Sequence, residues 1–432
     1  MKKFSSLLLT GCVGVICAAQ GLPVQGAWAG QMEVQGTKLL LVFYFGEDGC
    51  TLDSPDQGVK GVEATAELSA TGGLEVSVPS IGARYSAVLL PGKLVGTFTQ
   101  LGASFPLTLT PGIPKRNRPQ TPKAPFPYSQ EEVTFSNGDA RLTGTLASPA
   151  GCDAGTPVLI LVTGSGLQDR DETLWEHKPF AVIADCFARN GIATLRYDDR
   201  GMGASTGDLL RVTTEDLKND ALAGIELLRT RFRHVGVLGH SEGGTIAFIL
   251  AAEKKVDFLI SLAGGIVSGK ETLLDQNRSE LPRRGISAEQ TEAYCAALSE
   301  LFDRMVAGQG LQNLDGTDLS DALKDNLATV AKQNTPYMRY FLTLDISKLL
   351  DQVACPVMAL GGSRDIQVRY SLNMPPLEKR FGAAPHLVKT YPDLNHLFQH
   401  CRTGAMEEYK EIEETLSPEV LADMVAWLKT LH

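Results

Sequence analysis

The chain has 432 residues, more than one ordinary compact domain holds, so a large domain with a smaller companion is expected. Its 43% hydrophobic and 21% charged residues are normal for a globular protein. A formal charge of −10 gives it no electrostatic reason to bind nucleic acid or anionic lipid, and the one basic run, KRNR at 115–118, is short and sits among prolines.

In chain order, Lys2 and Lys3 precede an uncharged, mostly apolar run over 4–19, and Ala27-Trp28-Ala29 then offers an A-x-A cleavage pattern. This predicts a signal peptide over 1–29 and export to the periplasm or the medium. The apolar run is short for a membrane span, which needs about 20 residues. A secondary reading is a lipobox ending at Cys12. Cleavage after Ala29 would leave Cys50, Cys152, Cys186, Cys295, Cys355 and Cys401, widely scattered and without C-x-x-C. That spacing argues against a zinc site and a dense disulfide framework.

Residues 30–110 read as a small all-β domain, a sandwich or a barrel. LLLVFYF at 39–45 is a buried-strand run. Leu74, Val76 and Val78 alternate with polar residues, as do Phe105, Leu107 and Leu109 with Pro106, Thr108 and Thr110. The segment 111–128 carries Pro111, Pro114, Pro119, Pro122, Pro125 and Pro127 and reads as a semi-rigid linker.

From residue 129 to 432 short apolar strands alternate with amphipathic helices. An opening hairpin (132–135, 142–146) is followed by strands at 157–162, 192–197, 235–238, 258–262, 357–360 and 387–391. Helices are expected at 180–189, 215–230 and 418–431. This pattern predicts a mostly parallel sheet covered on both faces. Residues 266–345 break the rhythm; they are charged and helical and read as a cap inserted over the sheet's C-terminal edge.

The chemistry centres on GHSEGG at 239–244, between the strand at 235–238 and the helix that starts at Thr245. A strand, a sharp turn and a helix around G-x-S-x-G make a nucleophile elbow and nominate Ser241. A serine needs a base in reach and an acid to orient that base. A parallel sheet supplies such groups just past its later strands. There stand Asp365, in GGSRDIQV at 361–368, and His396, in PDLNHLF at 392–398. Asp393, three residues before His396, is the lesser candidate for the acid. His240 reads as structural, because neighbouring side chains on a sharp turn diverge. His396 and His400 are four apart, but no third ligand is evident, so no metal is expected. The scheme needs no cofactor. The oxyanion hole is expected from the backbone N–H of Glu242 and an amide of the loop TGSGLQDRDE at 163–172, at Leu167 or Ser165. Glu242, Asp169 and Asp171 are expected to make the mouth acidic and to disfavour anionic esters.

The combination of GHSEGG, DDRGMGAS at 198–205, GSRD at 362–365 and Asn395-His396 resembles the α/β-hydrolase superfamily. The GSGLQDRD loop is similar to exported bacterial serine esterases grouped near dienelactone hydrolases and prolyl-oligopeptidase-like hydrolases. TLDSPDQG at 51–58 resembles a β-domain that precedes some of them. The resemblance implies a carboxylesterase acting on small-molecule esters, with Ser241, Asp365 and His396 as its triad and no catalytic role for 198–205. Dienelactone hydrolases use cysteine where this chain has serine. Two alternatives stay open: a prolyl-oligopeptidase-like serine peptidase, and an inert binding module on the same fold. Oligomeric state is not legible.

Overall fold

The structure, a computed structural model, describes residues 22–34, 37–47, 49–57, 59–69, 72–209 and 211–431. Most of the expected leader, with Cys12, lies outside the described residues. The chain divides into two compact units, Met1–Lys115 and Arg116–His432.

The first unit is a closed eight-stranded antiparallel barrel in sequential order. Its strands are β1 (Gly26–Val34), β2 (Thr37–Phe45), β3 (Cys50–Ser54), β4 (Val59–Leu68), β5 (Leu74–Val78), β6 (Ala83–Leu90), β7 (Lys93–Gln100) and β8 (Ala103–Pro111). Alternation along the strands sends Phe43, Val76, Tyr85, Leu94, Phe98, Leu107 and Leu109 into the lumen, which they fill. The Tyr85 hydroxyl lies 3.1 Å from the carbonyls of both Leu94 and Leu107, so this buried polar group has acceptors. The expected boundary at residue 30 falls inside β1. Ala27 and Ala29 stand opposite Tyr44 and Val42, and Val24 and Trp28 are buried in the barrel core. A cut after Ala29 would take the start of β1 away from its partner strand.

The second unit carries a second eight-stranded sheet. Its strands are β9 (Ser129–Asn137), β10 (Ala140–Ser148), β11 (Val158–Val162), β12 (Ala193–Tyr197), β13 (Val235–His240), β14 (Leu259–Leu262), β15 (Val357–Gly362) and β16 (Leu387–Tyr391). Their spatial order is β16-β15-β14-β13-β11-β12-β10-β9. β10 runs antiparallel to β9 and β12, and the strands from β12 to β16 are parallel. The helices are α1 (Pro179–Arg189), α2 (Thr214–Arg229), α3 (Glu242–Ala252), α4 (Gly269–Arg283), α5 (Ala288–Val306), α6 (Asp321–Ala331), α7 (Pro336–Thr343), α8 (Tyr370–Phe381), α9 (Met406–Tyr409) and α10 (Pro418–Lys429).

The period of two along β11 explains the two cores. Val158, Ile160 and Val162 face a cluster built with α2, α3 and α8, whereas Leu159 and Leu161 face one built with α1 and α10. This is the α/β-hydrolase fold. The helices α4–α7 form the cap and bury a core of their own around Tyr294, Leu298, Phe302 and Leu327.

The expected linker at 111–128 is in part anchored chain. Pro111 ends β8, and from Arg116 onward the segment belongs to the second unit. The buried Arg118 guanidinium donates to the carbonyls of Trp175, Lys410 and Ile412 at 2.8–3.2 Å, which fixes the backbone there. The cysteines at 50, 152, 186, 295, 355 and 401 are all free thiols.

Candidate active site

Ser241 sits between β13 and α3 at φ 53°, ψ −118°. A non-glycine residue enters that region at a cost of about 1–3 kcal/mol and stays only where its surroundings hold it. Here the Ser241 N–H donates to the Leu262 carbonyl at 2.8 Å, and its own carbonyl starts α3 by accepting from Gly244 and Thr245. The turn is tight because Gly243 packs directly on the end of β11: a Cβ there would lie 2.0 Å from the Val162 oxygen. The elbow thus needs glycine for close approach of two backbones.

The loop after β15 supplies Asp365 and the loop after β16 supplies His396. Both are buried. Asp365 Oδ1 accepts from the amides of Gln367 and Val368, at 2.8 and 2.9 Å, and Oδ2 accepts from His396 Nδ1 at 2.7 Å. The carboxylate can only accept, so the His396 proton is on Nδ1 and the Nε2 lone pair is free to take a proton. Asp393 is drawn away to Arg364 on the surface, and the exposed His400 pairs with Glu414 at 2.9 Å.

Ser165, Ser241, Glu242 and His396 line one cavity of about 500 Å³ at the mouth of the sheet. The cap closes it with Leu273 of α4 and with Tyr337, Met338 and Phe341 of α7. Among the described residues, no lysine or arginine lines it.

Two tethers shape the loop at 163–172. Gly164 N–H donates to Glu172 Oε1 at 2.8 Å, and Gln168 N–H to Asp199 Oδ2 at 2.8 Å. Asp199 also accepts from the Thr163 hydroxyl, and Arg170 forks onto Asp198. The 198–205 loop therefore braces the loop at 163–172. Burial pushes the Asp199 carboxyl up to about 7, against the two hydrogen bonds it accepts. Between the tethers, Ser165 shares the cavity with Ser241. Leu167 is not among the residues lining it, and its side chain packs against the core under the sheet.

The acidic mouth expected from Glu242, Asp169 and Asp171 is not what forms. Asp171 is ion-paired with Lys178 and Arg196, and Asp169 caps its own turn through the amides of Asp171 and Thr173. Neither lines the cavity. Glu242 does, but it is buried, and its two oxygens accept from Thr214 Oγ1 at 2.6 Å and Tyr337 OH at 2.5 Å. Burial, with the Glu242 charge behind it, pushes the Tyr337 phenol far up, so it stays a donor. Sequence reasoning missed Tyr337 and Glu172, because nothing in the chain says which cap residue or which loop acid folds back onto the elbow. The His240 and His396 ring centroids are 4.7 Å apart, because the turn of the main chain brings the later loop over the elbow.

Fold and site together define the class: an α/β-hydrolase with a serine at its elbow. The family described as "Serine aminopeptidase, S33" matches residues 175–302. Esterase EstD of Thermotoga maritima is 26% identical over 278 residues, covering 63% of this chain and 61% of that protein. The chain thus spans about three fifths of that relative's length. An acyl transferase of Photobacterium leiognathi is 33% identical over 96 residues, 22% of this chain and 30% of that protein. Among solved structures, the Pyrococcus furiosus esterase Pf2001 is similar at 15% identity and TM-score 0.45, over 74% of this chain and 99% of that one. Est1E from Butyrivibrio proteoclasticus with bound ferulic acid is similar at 19% identity and TM-score 0.41, over 69% and 99%.

Proposed function

We propose that this chain is an exported serine carboxylesterase that hydrolyses uncharged carboxylic esters through an acyl-enzyme. The observation that carries the reading is the 2.7 Å Asp365–His396 hydrogen bond at the rim of a cavity that also holds Ser241 on its strained turn. The name of the Thermotoga relative, an esterase, agrees with it.

His396 Nε2 takes the proton of Ser241 as Oγ attacks the ester carbonyl. The tetrahedral oxyanion is held by the N–H of Glu242, at the positive end of α3, and the N–H of Ser165. As the intermediate collapses, His396 gives the proton to the departing alkoxide. Water then repeats the cycle on the acyl-enzyme, and Asp365 fixes the imidazole tautomer throughout. The cavity's apolar side chains, with no lysine or arginine lining it among the described residues, favour uncharged acyl groups.

The test is fluorophosphonate labelling and aryl-ester turnover of the wild type and Ser241→Ala. Labelling and turnover that vanish in the variant support the reading; a wild type that does neither sinks it. The S33 family match favours a peptidase as the second reading. Faster cleavage of aminoacyl or Xaa-Pro anilides than of aryl esters would select it.

A further inference from the structure

The acyl-transfer scheme makes no use of a second enclosed histidine–carboxylate pair beside the nucleophile. Glu172 Oε1 accepts from His240 Nδ1 at 2.8 Å as well as from Gly164 N–H at 2.8 Å. His240 Nε2 faces the backbone carbonyl of His396 at 3.0 Å. A carboxylate and a carbonyl can only accept, so both ring nitrogens of His240 donate and the ring is an imidazolium. Burial opposes that charge; the Glu172 charge and hydrogen bond outweigh it and raise the His240 pKa. The two side chains are 9% and 5% exposed, backed by Phe180, Ile183, Leu262 and Phe398. Glu172 holds φ 54°, a left-handed conformation costly for a residue with a side chain, so the local chain is bent to deliver this carboxylate.

We infer that His240 and Glu172 form a buried imidazolium–carboxylate brace that positions the general base and the oxyanion loop, a role that rests on the esterase reading above. One arm is the His240 N–H on the His396 carbonyl. The other is the Glu172 oxygen on the Gly164 amide, and Gly164 sits so close to the nucleophile that a Cβ on it would be 3.1 Å from the Ser241 Cβ. Asp365 orients His396 from its ring, and His240 orients it from its main chain. With side chains only 9% and 5% exposed, the two groups meet little water, which strengthens these bonds. Because Gly164 N–H is consumed by Glu172, it is withdrawn from the oxyanion hole, and Ser165 is left to face the substrate. His240 and Glu172 are positioning residues; neither exchanges a proton with the ester.

The experiment compares the full-length wild type, Glu172→Ala, Glu172→Gln and a control, Asp257→Asn. The control breaks the half-buried Arg229–Asp257 pair at the start of β13, the end of that strand opposite Ser241. Active sites are titrated with fluorophosphonate, and kcat and KM are measured per titrated site. Glu172→Ala is expected to lose about 10²-fold in kcat with KM changed by less than about threefold. Glu172→Gln keeps an oxygen for Gly164 and recovers at least about tenfold of that loss. Wild-type proton NMR is expected to show two far-downfield imidazole N–H signals, from His396–Asp365 and His240–Glu172; Glu172→Gln removes one and shifts the other. Asp257→Asn lowers the unfolding midpoint and leaves kcat per titrated site alone. Wild-type kcat per titrated site in Glu172→Ala overturns the brace, as does a Gln variant whose His396–Asp365 signal does not move. Should Glu172→Ala not fold, the Gln variant and its spectrum decide. A wild type that neither labels nor turns over overturns the esterase reading itself, which separates the two failures.

Discussion

Replacing Gly243 by alanine tests whether close backbone approach is what the elbow demands. A Cβ at 243 would lie 2.0 Å from the Val162 oxygen, 2.6 Å from the Thr163 oxygen and 2.7 Å from the Val162 carbonyl carbon. A carbon meets a carbonyl oxygen comfortably at about 3.3 Å, so α3 and β11 must separate by more than about 1 Å. All three obstacles are backbone, and β11 is hydrogen-bonded on both sides, to β12 and β13. No side chain can rotate away. Overpacking typically costs about 1–3 kcal/mol, and an obstacle of fixed backbone puts this variant at the upper end. The same displacement moves Ser241 relative to the loop at 163–168, and a misplacement of about 1 Å costs about 10²-fold in rate. Gly361→Ala in β15 is the control: its Cβ would meet the flexible Met374 Sδ at 3.2 Å, which can give way. Thermal unfolding and aryl-ester kcat should both fall in Gly243→Ala and change little in Gly361→Ala. A Gly243→Ala enzyme with a wild-type midpoint and kcat/KM within about threefold would refute the packing argument.

Four other outcomes follow from the same geometry. Asp365→Asn should lower kcat by about 10⁴-fold with the fold retained, since the amide no longer enforces the Nδ1–H tautomer of His396; a loss below about tenfold would reassign the acid. Asp199 has a folded pKa of about 7, raised by burial from an unfolded value of 3.8, so the folded state binds more protons between those values. Its contribution to stability is full below the unfolded value and is lost as pH rises through 7; Asp199→Asn should gain stability over the wild type from pH 4 to pH 8, and a pH-independent difference would contradict this. Tyr337→Phe removes the donor to Glu242 Oε2 and should cost about 1 kcal/mol, seen as a lower unfolding midpoint with a shift in KM, because Met338 and Phe341 of the same helix line the cavity. If the chain is exported, the mature N-terminus should lie before Val24, since Val24 and Trp28 belong to the barrel core; N-terminal sequencing that returns Gly30 would show that the barrel closes without the start of β1.

Much of the second unit was legible because its signals are local. The run at 157–162 needs burial on both faces, and β11 alternates its side chains between two cores. The glycines around Ser241 announce a turn that only small residues allow, and the order Ser241, Asp365, His396 follows from where a parallel sheet leaves its loops. The barrel was legible as a β-domain, but the runs at 39–45, 74–78 and 105–109 mark only β2, β5 and β8; closure comes from the Ala29–Thr110 pairing of β1 with β8 and the Gly112 N–H on the Ala27 carbonyl, between residues far apart in the chain.

Residue type and spacing singled out Ser241, His396 and Asp365, because each stands just past the end of a parallel strand. Tertiary structure decided what surrounds them. It turned Asp169 and Asp171 inward to a turn and an ion pair, and it set Tyr337 of the cap on Glu242. It also brought Glu172 and His240 beneath His396. The pairs Glu172–His240, Tyr337–Glu242 and His240–His396 lie 68, 95 and 156 residues apart, and no local propensity encodes a contact across such distances. Only the folded sheet, with its loops gathered at one edge, converges them on Ser241.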